Sequence, residues 1–512
     1  MCRPTLNRNI LAKTGLVTRN LGWIAALLHT SCEDSLRLRI NIPGWWNRTC
    51  VIFLLGATAS MASAQTFTTL AILDGNSLGS LVQGLDGNFY GTNLAGIAGE
   101  IFKITPTGAV TTVYAFNSTD GDYPSAGLVL ATDGNFYGTT LYGGTSTACS
   151  TVGCGTVFKI TPSGVLTTLH SFEYTDGANP QALVQGSDGD LYGTTLGGGA
   201  QGDGSIFKIT LGGTLTTLHF MGSTGDDGSG PLAGLVEGTD GNFYGTTAYG
   251  GSVVCTFGCG TIFKMIPDGT VTTLQNFSST DGSLPEAPLI QAPDGNLYGT
   301  TSYGGSGTLC IGDQYFPGCG TVFKVTPSGT LTTLYSFCTQ TGCNDGWSPS
   351  AGLVQGTDGS FYGATYWGGA NSDGGYGSGT VFKITASGAL TTLHSFDGLD
   401  GGGPYASLIQ GTDGDFYGTT ANYGTVYSIS MGLSPFVKML PHVGKVGGAV
   451  KILGTDLTGA TSVNFNGTAA LFTVVSATEI TATVPAGATT GRIQVATPGG
   501  ALFSGGQFLV RP

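Results

Sequence analysis

AGLVQGTDGSFYGATYWGGANSDGGYGSGTVFKITASGALTTLHSF, residues 351–396, packs four short strands and three connections of different kinds into one stretch. Strand a is the apolar Leu353-Val354-Gln355. Asp358-Gly359 then supplies a turn whose left-handed backbone angles suit that dipeptide, the strongest short-range hairpin signal. Strand b runs from Phe361 to Thr365, and a glycine-rich loop leads into strand c, Thr380 to Thr385, which alternates with period two. Ser387-Gly388 turns the chain into strand d, Ala389 to Phe396. Four antiparallel strands in a radially repeated unit make a propeller blade.

The unit recurs. F/L-Y-G-T/A appears at Tyr90, Tyr137, Tyr192, Tyr244, Tyr298, Tyr362 and Tyr417, a spacing of about 54 residues that fits a blade better than a helical repeat. The seventh copy has strands a, b and c (Leu408-Ile409, Phe416-Tyr417, Thr425 to Ile429) but no strand d before Gly432. Thr66 to Leu73, TFTTLAIL, is a strand d with no blade before it and matches TLTTLYSF, Thr330 to Phe337. The expected fold is all-β: a seven-bladed β-propeller over 65–432, closed by this N-terminal strand, which leaves no open sheet edge at the seam. An open solenoid is the alternative.

Composition agrees with many short strands joined by tight turns. The chain has 512 residues and 89 glycines, yet 40% of it is hydrophobic and only 10% charged. Seven of the 18 basic and two of the 31 acidic residues precede residue 65, so the remaining 11 and 29 carry a net charge of −18. A surface of that sign repels nucleic acid and anionic lipid, and neither is expected as a partner.

Residues 1–64 read as a leader whose signal-peptide core is about 45–64. Arg48 precedes the apolar run Cys50 to Ala57, and Ala62-Ser63-Ala64 offers cleavage before Gln65. Forty-odd residues before such a core are unusual, so translation is expected to start downstream of Met1. The run is too short for a permanent bilayer anchor, so no membrane insertion is expected after cleavage. The mature chain is expected outside the cytoplasm, secreted or at the cell surface, and monomeric.

From Leu433 the repeat stops. Residues 433–512 read as alternating strands (Val450 to Ile452, Val463 to Phe465, Phe472 to Val474, Ile480 to Val484, Ile493 to Val495) broken by Asn466-Gly467 and Pro498-Gly499-Gly500, enough for a two-sheet sandwich. Gly454-Thr455-Asp456-Leu457, Ala460 to Gly467, Ile480 to Pro485 and Thr497 to Gly500 resemble the IPT/TIG family of immunoglobulin-like domains. That resemblance implies a spacer or adhesive module. The G-x-V-F-K-I-T strand and D-G-N-F-Y-G-T-T hairpin of residues 66–430 resemble the GloVer tandem repeats of bacterial exported proteins. This second resemblance implies export and the repeat fold. Where that family has a variable anchoring region, this chain has the sandwich.

Eight cysteines follow the leader in four local pairs: Cys149/Cys154, Cys255/Cys259, Cys310/Cys319 and Cys338/Cys343. An even count in an exported chain argues for disulfides. Three pairs bracket the b–c loop and one the d–a loop, so each is expected to pin a loop. Zinc is the competing reading, but no His accompanies any pair and the spacings differ, so no metal and no cofactor are expected.

Catalytic patterns are missing. His170, His219 and His394 share one place in strand d where other repeats have Tyr114, Gln275 and Tyr335, and His442 lies in the sandwich. No G-x-S-x-G elbow appears. An enzyme reading needs a pair of non-repeat acids or a His in the central channel, and the sequence reading finds none. The six lysines between 65 and 432 (Lys103, Lys159, Lys208, Lys264, Lys324, Lys383) all follow a strand-c aromatic and are expected to meet nearby acids while their stems pack on apolar neighbours.

Alternating strand direction puts the d–a and b–c connections on one face, together with the cysteine pairs. Both connections vary in length, whereas the a–b and c–d turns are uniformly tight. Ligand-binding candidates on that face are Tyr142, Tyr249, Tyr303, Tyr366 and Trp367, with Asp120, Asp176, Asp281, Asp345 and Asp400 of the d–a connections. The expected function is a secreted or cell-surface binding and scaffold protein, its partner a carbohydrate or a cell-surface protein, with no catalytic activity. The alternatives are an extracellular polysaccharide lyase or hydrolase using the propeller channel, and a purely structural spacer.

Overall fold

The computed structural model describes residues 65–511 other than 150–151, 224–225, 252–253, 308–309, 311–316 and 372–375. The expected leader and signal peptide, residues 1–64, lie outside the described residues. Among the described residues every regular element is a β-strand except one 3-10 turn at Thr341–Cys343.

Residues 66–430 form seven four-stranded antiparallel sheets, six of them in simple a-b-c-d order. In the sixth repeat the strands are Val354–Gln355, Phe361–Thr365, Thr380–Ile384 and Leu390–Ser395. Strands b and c match the expectation to within a residue, while strand a shrinks to two. The last sheet holds Ile409–Gln410, Phe416–Thr419 and Thr425–Ser430, and its fourth strand is Thr66–Ile72. Thr66 pairs with Ser430 and Ile72 with Thr425, with a bulge between Thr69 and Ala71. The strand c–d pairs of the other six sheets have their bulge at the equivalent place, for instance at Val322/Phe323. The N-terminal segment thus copies strand d down to its irregularity, a feature set by local packing.

The recurring motif explains itself in the packing. Each motif tyrosine donates its hydroxyl to the turn aspartate four residues earlier, at distances from 2.6 Å (Tyr417 to Asp413) to 3.0 Å (Tyr362 to Asp358). The buried phenol is thereby satisfied and the a–b turn clamped in one step. The motif glycine faces the strand-c aromatic: a Cβ at Gly299 would sit 2.6 Å from Phe323 Cζ. Neighbouring repeats meet through the same residues, with Tyr90 against Phe136, Tyr192 against Phe243, Tyr298 against Phe361 and Tyr362 against Phe416 at 3.9–4.3 Å between ring centroids. Phe89 of the first repeat and Tyr417 of the last make this contact too, at 4.1 Å.

The C-terminal sandwich has one sheet of Lys438–Leu440, Ala449–Leu453, Glu479–Thr483 and Phe472–Val474, and a second of Thr468–Ala469, Ser462–Phe465, Ile493–Thr497 and Gly500–Phe503. Alternate residues Val450, Ile452, Val463, Phe465, Ile480, Ala482, Ile493 and Val495 form its core. Asn466 and Gly467 both have positive φ, as a tight hairpin requires. The sandwich lies against the a–b turn side of the repeats. Thr478 Oγ1 donates to the Leu85 carbonyl at 2.7 Å, the Phe436 amide to the Thr412 carbonyl at 2.9 Å, and Arg511 reaches Glu237 at 3.8 Å.

Candidate functional site

Short bridges tie the b–c connection to the d–a connection: Asp122 to Tyr142, Ser229 to Tyr249, Ser283 to Tyr303, Trp347 to Trp367 and Gly402 to Asn422. The two variable connections therefore share one end of each sheet. Four of the five candidate aromatics occupy these bridges, and the fifth, Tyr366, precedes Trp367. The richest cluster belongs to the sixth and seventh repeats. Trp367 stacks on buried Trp347 at 5.9 Å, Tyr376 lies 5.2 Å from Trp367, and Tyr366 lies 4.6 Å from Trp367 and 6.2 Å from Tyr405. Tyr142 is exposed and meets Tyr123 edge-on, while Tyr249, Tyr303, Tyr366 and Trp367 are half-buried.

The aspartate candidates face inward to their own loops. Asp120 accepts the Tyr114 hydroxyl at 2.6 Å and the Asn117 amide, and Asp345, fully buried, accepts the Tyr335 hydroxyl at 2.8 Å. Asp176 and Asp400 pair with His170 Nε2 and His394 Nε2 at 2.8 and 2.7 Å, and Asp227 with His219 at 2.7 Å. Asp281 accepts the Ser278 amide at 2.7 Å. Histidine and tyrosine exchange in strand d because each brings a polar hydrogen to this carboxylate. Burial would raise the Asp176 carboxyl, but the bonds from His170 and the Glu173 amide bring it below the ordinary range.

All four cysteine pairs are disulfides, Cys149–Cys154, Cys255–Cys259, Cys310–Cys319 and Cys338–Cys343. In each b–c pair the second cysteine is sunk into the core, and Cys255 is buried with its partner. Cys154, Cys259 and Cys319 are fully buried and offer a ligand no surface. Each immediately precedes the glycine that leads into strand c, and this holds its side chain in the core. Cys154 packs with Val157 and Phe172, Cys259 with Ile262 and Phe277, and Cys319 with Val322 and Phe337. Their carbonyls accept the amides of Asn179, Leu284 and Ser348 in the d–a connections at 2.9, 3.0 and 2.9 Å. These disulfides therefore fasten the b–c loop to the hydrophobic interior, with the buried sulfur as the anchor. Cys338 and Cys343 of the d–a loop are buried as well.

The lysines meet the turn aspartates, as in Lys159 to Asp133 (3.0 Å), Lys208 to Asp188 (2.9 Å), Lys264 to Asp240 (3.3 Å) and Lys383 to Asp358 (2.7 Å). Burial opposes the charge on Asp133, but hydrogen bonds from Asn135, Lys159 and Tyr137 hold its carboxyl down at about 2.

A cavity of about 240 Å³ is lined by all seven repeats. Its wall includes the variable residue of the P-x-A step that leads from each d–a connection into strand a: Ser125, Gln181, Leu232, Glu286, Ser350 and Tyr405, with Leu78 at the matching place in the first repeat. The sequence reading sought a pair of non-repeat acids, and Glu286 is a single one in the cavity wall. The signal was available. Aligning the P-x-A steps isolates a single charged residue among seven, but a search organised by His and Asp-Gly passes over it. Glu286 accepts the Ser302 hydroxyl at 2.7 Å. Burial pushes its carboxyl up, against hydrogen bonds from Ser302 and Ser350. Burial and then the Glu286 charge raise the Tyr249 and Tyr405 phenols.

Comparison with known proteins matches a Gloeobacter/Verrucomicrobia repeat to residues 141–311 and 307–471, and an IPT/TIG domain to residues 436–510. No curated protein matches the chain. Similar solved structures include the extracellular domain of a hybrid two-component system from B. thetaiotaomicron (9% identity, TM-score 0.47, 87% of this chain and 58% of that one). The present chain thus spans little more than half of that neighbour's length. Others are oligogalacturonate lyase from Vibrio parahaemolyticus (12%, TM-score 0.44, 72% and 96%) and the WD40 β-propeller domain of Doa1 (12%, TM-score 0.43, 71% and 97%).

Proposed function

Because this chain belongs to the Gloeobacter/Verrucomicrobia repeat family and carries a C-terminal IPT/TIG domain, we propose that it is an exported binding and scaffold protein. Its seven sheets are the blades of a closed propeller whose ligand face is formed by the d–a and b–c connections. Closure is supported by the strand-d bulge in Thr66–Ile72, by the Phe89–Tyr417 contact, and by a core cluster joining Leu73, Phe102 and Tyr417 across the seam. Four disulfides support an oxidising compartment, in keeping with export by the leader at 45–64.

One observation carries the binding reading. The aromatic cluster around Trp367 and the cavity of seven-repeat origin lie with the variable connections, whereas the sandwich takes up the a–b turn side. Half-buried rings beside polar loops suit a saccharide face or a protein partner. The enzyme alternative draws on Glu286, but glycoside hydrolysis uses two carboxyl groups flanking the scissile bond, and the cavity wall offers one. Glycan-array and cell-wall pull-down binding should be lost in Trp367→Ala and Tyr303→Ala. Indifference to both substitutions counts against the reading, and turnover of a polysaccharide would move the protein to the enzyme class.

A further inference from the structure

We propose that the cavity shared by the seven repeats binds a small organic ammonium ion, its cationic head against the Glu286 carboxylate. This rests on reading the loop face as the ligand face, and it names the chemistry that face would accept at its centre.

Glu286 departs from its repeat in kind. At the equivalent place the other repeats carry leucine, serine, glutamine or tyrosine. Its carboxylate accepts the Ser302 hydroxyl at 2.7 Å, and Ser302 and Ser350 lie 3.2 Å apart, so its protein partners are neutral hydroxyls. Hydroxyl donors satisfy lone pairs without offsetting charge, and a half-buried carboxylate without a counter-charge is costly to ionise. Four of the six repeat lysines, all on strand c, pair with the a–b turn aspartates, and no lysine is in the cavity wall. A cation from outside the repeats would compensate the ionised form of Glu286 and favour it over the neutral acid.

The rest of the wall limits which cation. A divalent metal prefers several anionic oxygens, and among the described residues no three His, Cys, Asp or Glu side chains converge. Leu78, Leu232 and Tyr405 supply apolar and aromatic surface instead, which suits an ammonium attached to carbon. The volume of about 240 Å³ falls under the roughly 300 Å³ at which drug-sized pockets begin. The ligand is correspondingly small, or a small end of something larger.

Titration calorimetry of the purified full chain with benzylammonium chloride and its neutral isostere benzyl alcohol tests this. The ammonium ion should saturate one site, and the alcohol should bind at least about tenfold more weakly. Glu286→Gln should lose at least about tenfold in benzylammonium affinity with an unchanged circular dichroism spectrum, and Val165→Ala, at an exposed c–d turn, should bind the ion as the parent does. No saturation, equal affinity for the alcohol, or an unaffected Glu286→Gln overturns the proposal, as does displacement of the ion by calcium chloride at equal concentration. No glycan-array signal from the unsubstituted protein, with benzylammonium binding intact, would refute the saccharide reading of the outer aromatics alone. The reverse pattern would refute only the ammonium site.

Discussion

Tyr427 fills the place that phenylalanine holds in the other six repeats, as Phe102, Phe158, Phe207, Phe263, Phe323 and Phe382. Its ring packs edge-on against Phe396 at 5.3 Å, as Phe382 does against Phe337. Its hydroxyl is buried without a hydrogen-bond partner among the described residues. An orphaned buried hydroxyl costs about 1–3 kcal/mol, so Tyr427→Phe should stabilise the protein by about 1 kcal/mol, read as a higher midpoint in denaturant titration. The exchange was visible in the sequence; the emptiness around the oxygen was not, because it depends on how Gly418 and its neighbours close over the ring. The same limit explains the aspartates of the d–a connections. Their recurrence was legible, but a loop carboxylate that serves a ligand and one that caps its own loop look alike until Tyr114, His170 and His394 are found beside them. Pairing of the cysteines was legible from their number and spacing, whereas the burial of Cys154, Cys259 and Cys319 depends on Phe172, Phe277 and Phe337 arriving from strand d.

Strands b and c were legible because they alternate, sit between Asp-Gly and Ser-Gly turns, and bury nearly every residue. Strand a was overestimated since Leu353 is core packing without ladder pairing. In the sandwich the interior strands were found, while Lys438–Leu440, Val443–Lys445, Thr468–Ala469, Gly500–Phe503 and Leu509–Arg511 were missed, segments of two to four residues that a period-two pattern cannot mark. The N-terminal strand is the element whose reading matters most. Deleting residues 66–73 removes the partner of Thr425–Ser430 and exposes that strand as an unpaired edge. The truncated protein should melt at lower temperature and over a broader range in calorimetry; an unchanged single transition would refute the seam. Reducing the disulfides is a milder perturbation, since they close loops of four to nine residues and short loops gain little from cross-linking.

At the scale of the whole molecule, the contact between repeats and sandwich contains a half-buried cation. Lys438 Nζ lies 3.5 Å from Gln83 Oε1. Burial depresses its pKa from 10.5 to about 8, and the Asp413 charge offsets only part of this. The unfolded chain therefore holds this proton over a pH range where the folded chain has released it. Stability should rise between the folded value of about 8 and the unfolded 10.5, and the cost of the buried charge is fully present below that window. Lys438→Met should remove the rise and add about 1–2 kcal/mol at neutral pH, checked by denaturant titration on both sides of the window. Little of this was legible, because separate domains read one after another give no hint of which surfaces meet. The docking also bears on what kind of object the protein can recognise. Thr478, Phe436 and Arg511 hold the sandwich against the a–b turn side of the first, seventh and fourth repeats. In the proposed closed ring it would cover the exit on that side, so selection would fall on chain termini rather than on internal segments, and a polymer would be counted by its ends, not its length.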